Sequence, residues 1–521
     1  MTRQKTLTQI TANLPGATLI AKDAGETVVT SVAFDSRKVA AGTLFIAVPG
    51  AKFDGHTFVR DVVAKGAAAV VIEAGREAEL ADLTVPCVVV PDTRKAMAQI
   101  AVAFYDNPTA KLHLAGVTGT NGKTTTALMM ESIARAAGDK TAYVGTLGFG
   151  IDGKIVEGDR TTPEAIDLQA FFARCVDEGV TAVAIEVASH ALALGRTDGC
   201  LFDVAVFTNL TQDHLDYHGT MEAYRDAKGL LFTEYAKSAR ASGKDWYAVL
   251  NADDPVTLDY RDDIYNKVVV DPNPVIIYKA KPRTNLSPIV SAHADVFPND
   301  IELFVDHINY TAKTPVGEVA IELGFGGTFN VDNSLAAIGY GIARGLSPEV
   351  IAEGLRTCPP VPGRFQPVKA GQEFAVLVDY AHTPDGLDNV LKSARPLTKG
   401  RLISVFGCGG DRDKTKRPKM GRIAKDLSDI AIATSDNPRT ENPEAILDDV
   451  LAGMDGDGGA EVRRESDRRK AIALAVSLAQ AGDTIVIAGK GHETYQIIGT
   501  ETFPFDDVQV AKEEIEKCSA R

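Results

Sequence analysis

The stretch "LHLAGVTGTNGKTTTALMMESIARAAG", from Leu112 to Gly138, decides the fold class of this chain. An apolar strand runs into the glycine-rich segment "GTNGKTT", and a helical run follows at once. Glycines let the backbone approach a phosphate closely, and the N–H groups at a helix N-terminus then face the phosphate oxygens. The pattern predicts a phosphate-binding loop for a nucleoside triphosphate, made by Gly119, Thr120, Asn121, Gly122, Lys123, Thr124 and Thr125. The alternative interpretation is a glycine-rich turn that carries a surface lysine.

Residue types in this loop indicate separate roles. Lys123 is expected to neutralise the β- and γ-phosphate oxygens, and the hydroxyl of Thr124 is expected to ligate Mg²⁺. Glu186 ends the apolar run "AVAIEVASH", so its carboxylate is placed at a strand end where it can hold the same ion. A paired or capping glutamate is the alternative for Glu186.

The segment "TNLTQDHLDYHG", residues 208–219, concentrates metal-ligating side chains beyond another strand. Asp213, His214, Asp216 and His218 suggest a second metal or a substrate contact. Helix capping by aspartate and hydrogen-bonded histidines are the structural alternatives, above all for His218. Lys228, farther along in "MEAYRDAKGLLF", resembles an ordinary surface lysine.

Outward from the loop, strands and helices alternate along most of the chain, which predicts an α/β protein with parallel sheets. Boundaries are expected at Asn107–Pro108 and at the proline-rich "CPPVPGR". They divide the chain into 1–107, 108–358 and 359–521, and a length of 521 residues fits about three domains. Between Trp246 and Phe325 the strand-like pattern has few helix signals, which favours an antiparallel extension.

Composition excludes several classes of protein. The net charge is −15, which opposes binding to nucleic acid or to an anionic membrane surface. No apolar run is long enough to span a membrane, and the N-terminus lacks the apolar segment of a secretory signal. The six cysteines show no CxxC spacing, so we expect a reduced, cytoplasmic protein whose cysteines mostly pack as apolar side chains.

Taken together, the motifs resemble those of the Mur ligases, the ATP-dependent amide ligases of peptidoglycan precursor synthesis. The resemblance covers nearly the whole chain and rests on ordered segments, which are "DSRKVAAGTLFIAVPGAKFDGH", "GTNGKTT", "EVASHAL", "DHLDYHG", "GTFNVDNSLAA", "VDYAHTPD", "GCGGDRDKTKRP", "DNPR" and "GKGHE". It implies an N-terminal α/β domain that binds uridine, a central ATPase domain with a parallel sheet, and a C-terminal Rossmann-like domain.

The resemblance also implies roles for single residues. Asn330 would contact the adenine, and Arg364 and Asp379 would complete the ATP site. Lys228 falls where the family carries a carbamylated lysine, whose anionic oxygen would ligate a metal in a site that also involves His214. Thr124 and Glu186 would serve the other Mg²⁺. The catalytic set is then Lys123, Glu186, His214 and Lys228. The nucleotide-sugar substrate would contact Phe34, Ser36, Thr161, Thr162, Ser189 and Arg196.

"DNPR" resembles the motif of members that add meso-2,6-diaminopimelate to UDP-N-acetylmuramoyl-L-alanyl-D-glutamate. The acceptor site would comprise Arg412, Asp436, Asn437, Pro438, Arg439, Gly489 and Glu493. The chemistry agrees, because diaminopimelate carries two carboxylates for arginine forks and two amines for acidic side chains. A monomer acting on small molecules is expected, with neither nucleic acid nor membrane as a partner.

Alternatives remain at this point. L-Lysine could replace diaminopimelate as the acceptor. A folylpolyglutamate-type synthetase shares the ligase architecture, although the 107 residues before the phosphate loop oppose it. A regulatory P-loop protein would use ATP only as a switch. One departure is Ala188, where many family members carry serine, so no side-chain role is assigned there.

Overall fold

A computed structural model of the chain describes residues 3–20, 24–50, 53–80, 82–158, 160–268, 274–280 and 294–519. These residues form two compact units. The first contains residues 1–296 and 336–347, and the second contains residues 297–335 and 348–521. Each unit is built from α/β layers, as the alternation of strands and helices predicts.

The first unit begins with a five-stranded sheet. Its spatial order is Thr18–Ile20, Cys87–Val90, Ala69–Glu73, Thr43–Ile46 and Ser31–Ala33. Only Thr18–Ile20 runs antiparallel to its neighbour. The accompanying helices are Leu7–Thr11, Val59–Ala64 and Thr93–Phe104. The central strands are buried apolar runs, as parallel strands covered on both faces require.

An eight-stranded sheet forms the rest of the first unit. Its order is Lys154–Val156, Gly148–Ile151, Thr141–Gly145, Ala182–Glu186, His113–Thr118, Val204–Phe207, Tyr247–Asn251 and Val275–Tyr278. The last six strands are parallel. Helices follow at Lys123–Ala136, Ala165–Asp177, Ser189–Ala193, Leu215–His218, Met221–Gly229, Glu234–Ala241 and Val256–Asp263. The strand that leads into the phosphate loop is therefore central in its sheet.

The second unit contains an antiparallel sheet of Phe297–Leu303, Ile308–Thr314 and Gly317–Leu323. Its six-stranded sheet has the order Gln366–Pro367, Ala375–Asp379, Thr484–Ala488, Leu402–Cys408, Ile430–Ser435 and Glu461–Arg464. All but Gln366–Pro367 are parallel. A hairpin joins Tyr495–Ile498 to Glu501–Pro504. From residue 329 onward the helices are Phe329–Ala343, whose residues after 335 belong to the first unit, and Pro348–Arg356, Pro384–Ala394, Lys416–Leu427, Pro443–Leu451, Arg468–Leu478 and Asp507–Ser519.

The predicted antiparallel extension between Trp246 and Phe325 is only partly correct. Residues 297–323 are antiparallel, but Tyr247–Asn251 and Val275–Tyr278 join the parallel sheet, and the helix Val256–Asp263 lies between them. Residues 269–273 and 281–293 of this stretch lie outside the described part. A short apolar run does not show which neighbour it pairs with, and pairing decides the direction.

None of the six cysteines forms a disulfide, and five of them are buried, as expected for apolar packing; Cys518 is exposed. No helix within the described ranges combines the length and apolar character that crossing a membrane requires.

Candidate active site

The phosphate loop is held open by glycine. Gly119 has φ 153°, and a Cβ at this position would come within 1.9 Å of the Thr208 hydroxyl oxygen, so no larger residue fits. Gly122 adopts φ 86° immediately before the helix that begins at Lys123. The first N–H groups of that helix have no carbonyl partner within the helix, and they face the loop where an anion is favoured. This geometry suits a phosphate group.

Lys123 folds back over this loop. Its Nζ donates to the carbonyl oxygens of Gly119 at 3.0 Å and Thr120 at 2.8 Å. Asn209, which the sequence did not single out, fixes the loop from the next strand end. The Asn121 N–H donates to its Oδ1 at 2.9 Å, and its own Nδ2 donates to the Asn121 carbonyl at 3.2 Å. These hydrogen bonds tie the loop to the end of the neighbouring strand.

The prediction that Lys228 is a surface lysine is wrong. Its side chain is 1% exposed, and its Nζ donates to the carbonyl oxygen of Gly119 at 2.7 Å. The Nζ also lies 4.5 Å from the centre of the Tyr224 ring. Burial, together with the nearby charge of Lys123, places the pKa of Lys228 well below its ordinary value. The sequence missed this because the helix Met221–Gly229 looks polar on its own.

Glu186 is fully buried at the end of its strand, as predicted for a carboxylate at the sheet edge. Its Oε1 accepts from the Tyr143 hydroxyl at 2.6 Å and the Thr146 N–H at 2.8 Å, and its Oε2 accepts from the Thr146 hydroxyl at 3.1 Å. These bonds fix the orientation of the carboxylate. Thr124 is buried in the first turn of the helix after the phosphate loop.

His214 lies among aromatic rings, and its Nε2 is 3.5 Å from one oxygen of the Asp213 carboxylate. Its ring centre is 4.7 Å from that of His190 and 6.1 Å from that of Tyr224, the ring that Lys228 also contacts. His218 bonds the Ser189 hydroxyl at 3.0 Å, and burial lowers its pKa and that of His190. In the described ranges, no group of three or more His, Cys, Asp or Glu side chains is arranged to hold a metal ion. The loop of residues 208–219 therefore does not form a metal centre from such side chains alone.

The residues expected near the nucleotide sugar are placed as follows. Thr162 donates to the carbonyl of Glu186 at 2.8 Å and accepts from the Ala188 N–H at 3.1 Å, and Thr161 bonds Thr146 at 3.2 Å. A structural role therefore occupies the Thr162 hydroxyl. Phe34 packs against the core of the N-terminal sheet, and the Ser36 carbonyl accepts from Lys65 at 2.9 Å.

Arg196 belongs to a cluster around one buried carboxylate. Glu164 lies 3.1 Å from Arg196 and 3.5 Å from Arg94, and it also pairs with Arg160. Three guanidinium groups around one glutamate leave a surplus of positive charge in this part of the first unit. A surplus of this kind suits an anionic ligand.

Asn330, Arg364 and Asp379 belong to the second unit. The Asn330 Nδ2 donates to the Gly326 carbonyl at 2.6 Å, and its Oδ1 accepts from Asn333 at 2.8 Å. Asp379 accepts from the N–H groups of Phe365 at 2.7 Å and Ala381 at 2.9 Å, and burial raises its pKa.

Arg364 stacks 5.2 Å from the centre of the Tyr380 ring. Asn330, Asp379 and Arg364 therefore all make contacts with nearby residues of the second unit.

The residues predicted for the acceptor come together after three strands of the six-stranded sheet. Asn437 donates from Nδ2 to Glu493 at 2.9 Å, and its N–H donates to Asp436 at 2.6 Å. Gly489 has φ 125°, and a Cβ there would come within 2.5 Å of Asp436 Oδ2. Such a close approach explains the glycine.

Two arginines flank these acidic groups. Arg439 has φ 51° and donates to the Gly410 carbonyl at 3.0 Å, while Arg412 donates to the Asp411 carbonyl at 3.0 Å. Pro438 accepts, through its carbonyl, from the N–H of Glu441 at 3.1 Å. The structure thus combines carboxylates and guanidinium groups at one sheet edge, where open α/β sheets bind ligands.

Lys490, within "GKGHE", is a site residue that the sequence did not single out. Its ammonium is fully buried and donates to Asn437 Oδ1 at 3.0 Å and to Glu493 at 3.3 Å. Burial lowers the pKa of Lys490, while the nearby Asp436 and Glu493 favour its charged form.

The fold and these residues define an α/β protein with a glycine-rich loop between a central strand and a helix, and with acidic and basic side chains together at one sheet edge. The chain belongs to the Mur ligase family. Residues 28–105 match the model of the Mur ligase family catalytic domain, residues 117–341 the Mur ligase middle domain, and residues 363–491 the Mur ligase glutamate ligase domain.

The chain is similar to proteins named UDP-N-acetylmuramoyl-L-alanyl-D-glutamate--2,6-diaminopimelate ligase. That of Geobacillus kaustophilus is 47% identical over 484 residues, which cover 93% of this chain and 94% of the relative. That of Gloeobacter violaceus is 47% identical over 494 residues, with 95% of each covered. A solved structure of an enzyme with the same name aligns with a TM-score of 0.71 at 34% identity, covering 99% of both chains.

A folylpolyglutamate synthase of Mycobacterium tuberculosis, solved with ADP, aligns with a TM-score of 0.59 at 19% identity. It covers 76% of this chain and 91% of its own. At this identity the likeness shows a shared fold alone.

Proposed function

We propose that this protein is an ATP-dependent amide ligase that joins meso-2,6-diaminopimelate to UDP-N-acetylmuramoyl-L-alanyl-D-glutamate in peptidoglycan precursor synthesis. The observation that carries the proposal is identity of 47% over nearly the whole length to relatives bearing that name. The acceptor residues Arg412, Asp436, Arg439 and Glu493 supply both signs of charge that this acceptor requires. L-Lysine lacks the second carboxylate that the two arginines could bind, so these residues do not favour L-lysine as the acceptor.

ATP is assigned to the loop from Gly119 to Thr125. Its glycines and the helix N-terminus fit phosphate oxygens, and Lys123 can turn from backbone carbonyls toward the β- and γ-phosphates. Asn330, Arg364 and Asp379 are retained as further nucleotide contacts.

Mg²⁺ is assigned to the Thr124 hydroxyl and the Glu186 carboxylate. The buried, oriented Glu186 carboxylate fits a hard cation that prefers oxygen ligands. When bound, Mg²⁺ supplies positive charge that neutralises the phosphate oxygens.

Lys228 is assigned a carbamate, with His214 beside it. A buried amine of lowered pKa is in the unprotonated form that attacks CO₂, with release of one proton. The product is an anion, which removes the repulsion between Lys228 and Lys123 and would give a metal site shared with His214 an anionic oxygen ligand.

The nucleotide-sugar substrate is assigned to the first unit. Phe34 and Ser36 would contact the uridine, and Thr161, Thr162, Ser189 and Arg196 the muramoyl dipeptide. The surplus of arginine around Glu164 supports an anionic ligand there. We also keep the division into 1–107, 108–358 and 359–521, since each family model matches within one of these ranges. A monomer in the cytoplasm, without nucleic acid or membrane partners, completes the proposal.

In the proposed reaction, the terminal D-glutamate carboxylate attacks the γ-phosphorus of ATP and ADP leaves. The amine of diaminopimelate then attacks the acyl phosphate, and the tetrahedral intermediate expels phosphate as the amide forms. Lys123 stabilises the charge on the transferring phosphoryl group, so that catalysis consists mainly of positioning and electrostatics. The acceptor carboxylates orient the diaminopimelate by its ammonium.

Lys123→Ala tests this assignment. Loss of a charge at the transferring phosphoryl group is expected to reduce kcat by about 100-fold or more. ADP release is measured with both substrates present, and Lys237→Ala, an exposed lysine of the same unit, serves as control. Full ADP release by the Lys123 variant would contradict the proposal.

A further inference from the structure

Lys490 is the one acceptor-site cation that points into the protein. Its side chain is 0% exposed, and its ammonium binds two acceptor residues, Asn437 and Glu493. Asn437 and Glu493 also bond each other, so the three side chains form a closed triangle. The triangle joins the strand end at Ser435 to the loop after Ala488.

The triangle leaves one oxygen of Glu493 unused. Oε2 accepts from both Asn437 and Lys490, whereas Oε1 has no hydrogen-bond donor among the described residues. The Glu493 side chain is 18% exposed, so a ligand can reach it. Lys490 therefore fixes which oxygen of Glu493 remains for a ligand.

The charges around the triangle favour one cation. Asp436 and Glu493 contribute two negative charges and Lys490 contributes one positive charge, which leaves a single negative charge. The flanking Arg412 and Arg439 are assigned to the carboxylates of the acceptor under the proposed function. The neighbouring Arg468 and Asp507 neutralise each other in a buried pair with distances of 2.7 Å. One ammonium group on the ligand balances this site.

We propose that Lys490 is a positioning residue that makes this site selective for the non-reacting ammonium of the acceptor amino acid. It does so by holding Glu493 against Asn437 and by cancelling one of two carboxylate charges. The inference rests on the proposed function, and it adds a specificity role to a residue that does not touch the acceptor.

A merely structural role for Lys490 predicts a different result. A buried lysine that only stabilises the loop would, when removed, weaken binding of every acceptor equally. A positioning role acts through the acceptor's second ammonium, so an acceptor without that group should be insensitive to the substitution.

The test compares Lys490→Met with the wild-type enzyme on two acceptors. One is meso-2,6-diaminopimelate, and the other is 2-aminopimelate, which keeps both carboxylates and the reacting amine but lacks the second amine. We expect kcat/KM for diaminopimelate to fall about 10- to 100-fold, mainly through KM, because Glu493 loses the charged donor that holds it in place for the ammonium of the acceptor. The value for 2-aminopimelate should change less than about 3-fold, and KM for ATP should not change.

Lys425→Met is the matched control. Lys425 is a buried lysine of the same unit whose ammonium donates to the carbonyl oxygens of Met454 at 2.7 Å and of Gly456. Its loss should lower stability without changing the ratio between the two acceptors. Lys490→Gln, which keeps an N–H donor for Asn437 but no charge, replaces Lys490→Met if that variant does not fold, and the same loss of discrimination is expected.

Failure of the proposed function and failure of the positioning role of Lys490 give different results. If the wild-type enzyme does not consume ATP with diaminopimelate, the proposed function fails before any variant is compared. If the wild-type enzyme ligates diaminopimelate but the Lys490 variants lower kcat/KM equally for both acceptors, or for neither, the positioning role is overturned.

Discussion

Lys228 Nζ donates to the carbonyl oxygen of Gly119 at 2.7 Å, across 109 positions of sequence. The same carbonyl accepts from Lys123 Nζ at 3.0 Å. Two lysines on one carbonyl are a repulsive arrangement if both are charged, and burial adds to the cost for Lys228. Converting Lys228 to an anion changes this repulsion into attraction, which is why we assign it a carbamate.

Replacing Lys228 by alanine is expected to reduce kcat about 100- to 1,000-fold, since an anion that organises the phosphate site is lost. The measurement is steady-state phosphate release at saturating substrates. Lys244→Met is the control for the loss of a largely enclosed lysine, because the Lys244 side chain is 12% exposed and pairs with Asp203 at 2.6 Å in the same unit. Unchanged activity of the Lys228 variant would remove the lysine from the site. Intact mass in bicarbonate buffer should show the added CO₂ only when Lys228 is present.

Arg439→Lys is expected to lower kcat/KM for diaminopimelate about 10- to 100-fold, because an ammonium cannot replace a bidentate guanidinium–carboxylate contact. L-Lysine lacks the carboxylate that Arg439 is assigned to bind, so kcat/KM for L-lysine should not fall further. The check is a pair of kcat/KM values for the two acceptors. Arg422→Lys, in an exposed pair of the same unit, is the control. An equal loss with both acceptors would show that Arg439 supports the loop rather than the carboxylate.

The Arg468–Asp507 pair is fully buried on both sides. Arg468→Met is expected to lower the free energy of unfolding by about 3–5 kcal/mol, because Asp507 is left as an unpaired buried charge. The double variant Arg468→Met with Asp507→Leu should recover part of that loss. Urea unfolding of the three proteins measures both effects. A free energy of unfolding for Arg468→Met within about 0.5 kcal/mol of the wild-type value would contradict this prediction.

His113 gives a prediction for pH. Burial, with the positive charges of Arg344 and Lys244, lowers its pKa from 6.5 to about 3, so the folded protein holds it neutral. As the pH falls, the unfolded chain protonates His113 before the folded protein does. The corresponding part of the free energy of unfolding is fully present above about pH 6.5 and is lost as the pH falls toward 3. At pH 5 the loss is about 2 kcal/mol.

His113→Gln should show a smaller decrease in the free energy of unfolding between pH 7 and pH 5 than wild type does. Gln does not titrate, which isolates this group from the other ionisable side chains. Equal decreases in the two proteins would show that His113 is not held neutral.

The sequence predicted the phosphate loop and the α/β class because both depend on local patterns. A strand, a glycine-rich turn and a helix are consecutive between Leu112 and Gly138, so their relation needs no knowledge of distant residues. The position of Glu186 was predictable for the same reason, because this residue lies at the end of its own strand.

Residues defined by distant contacts were harder to predict. Lys228 is buried only because its helix packs against a loop 109 positions earlier, and the polar pattern of Met221–Gly229 contains no sign of this. Lys490 stands in a recognised motif, yet its role depends on Asn437, 53 positions away. The strand Val275–Tyr278 pairs with Tyr247–Asn251 in parallel because a helix separates them, which the apolar run alone did not reveal.

Phosphate release is the most direct test of the central claim, measured with ATP and UDP-N-acetylmuramoyl-L-alanyl-D-glutamate and with meso-diaminopimelate, L-lysine or no amino acid. Release that depends on the amino acid and is faster with diaminopimelate than with L-lysine, with formation of the amide product, is the expected result. Release that does not depend on the amino acid, or a preference for L-lysine, would contradict the account.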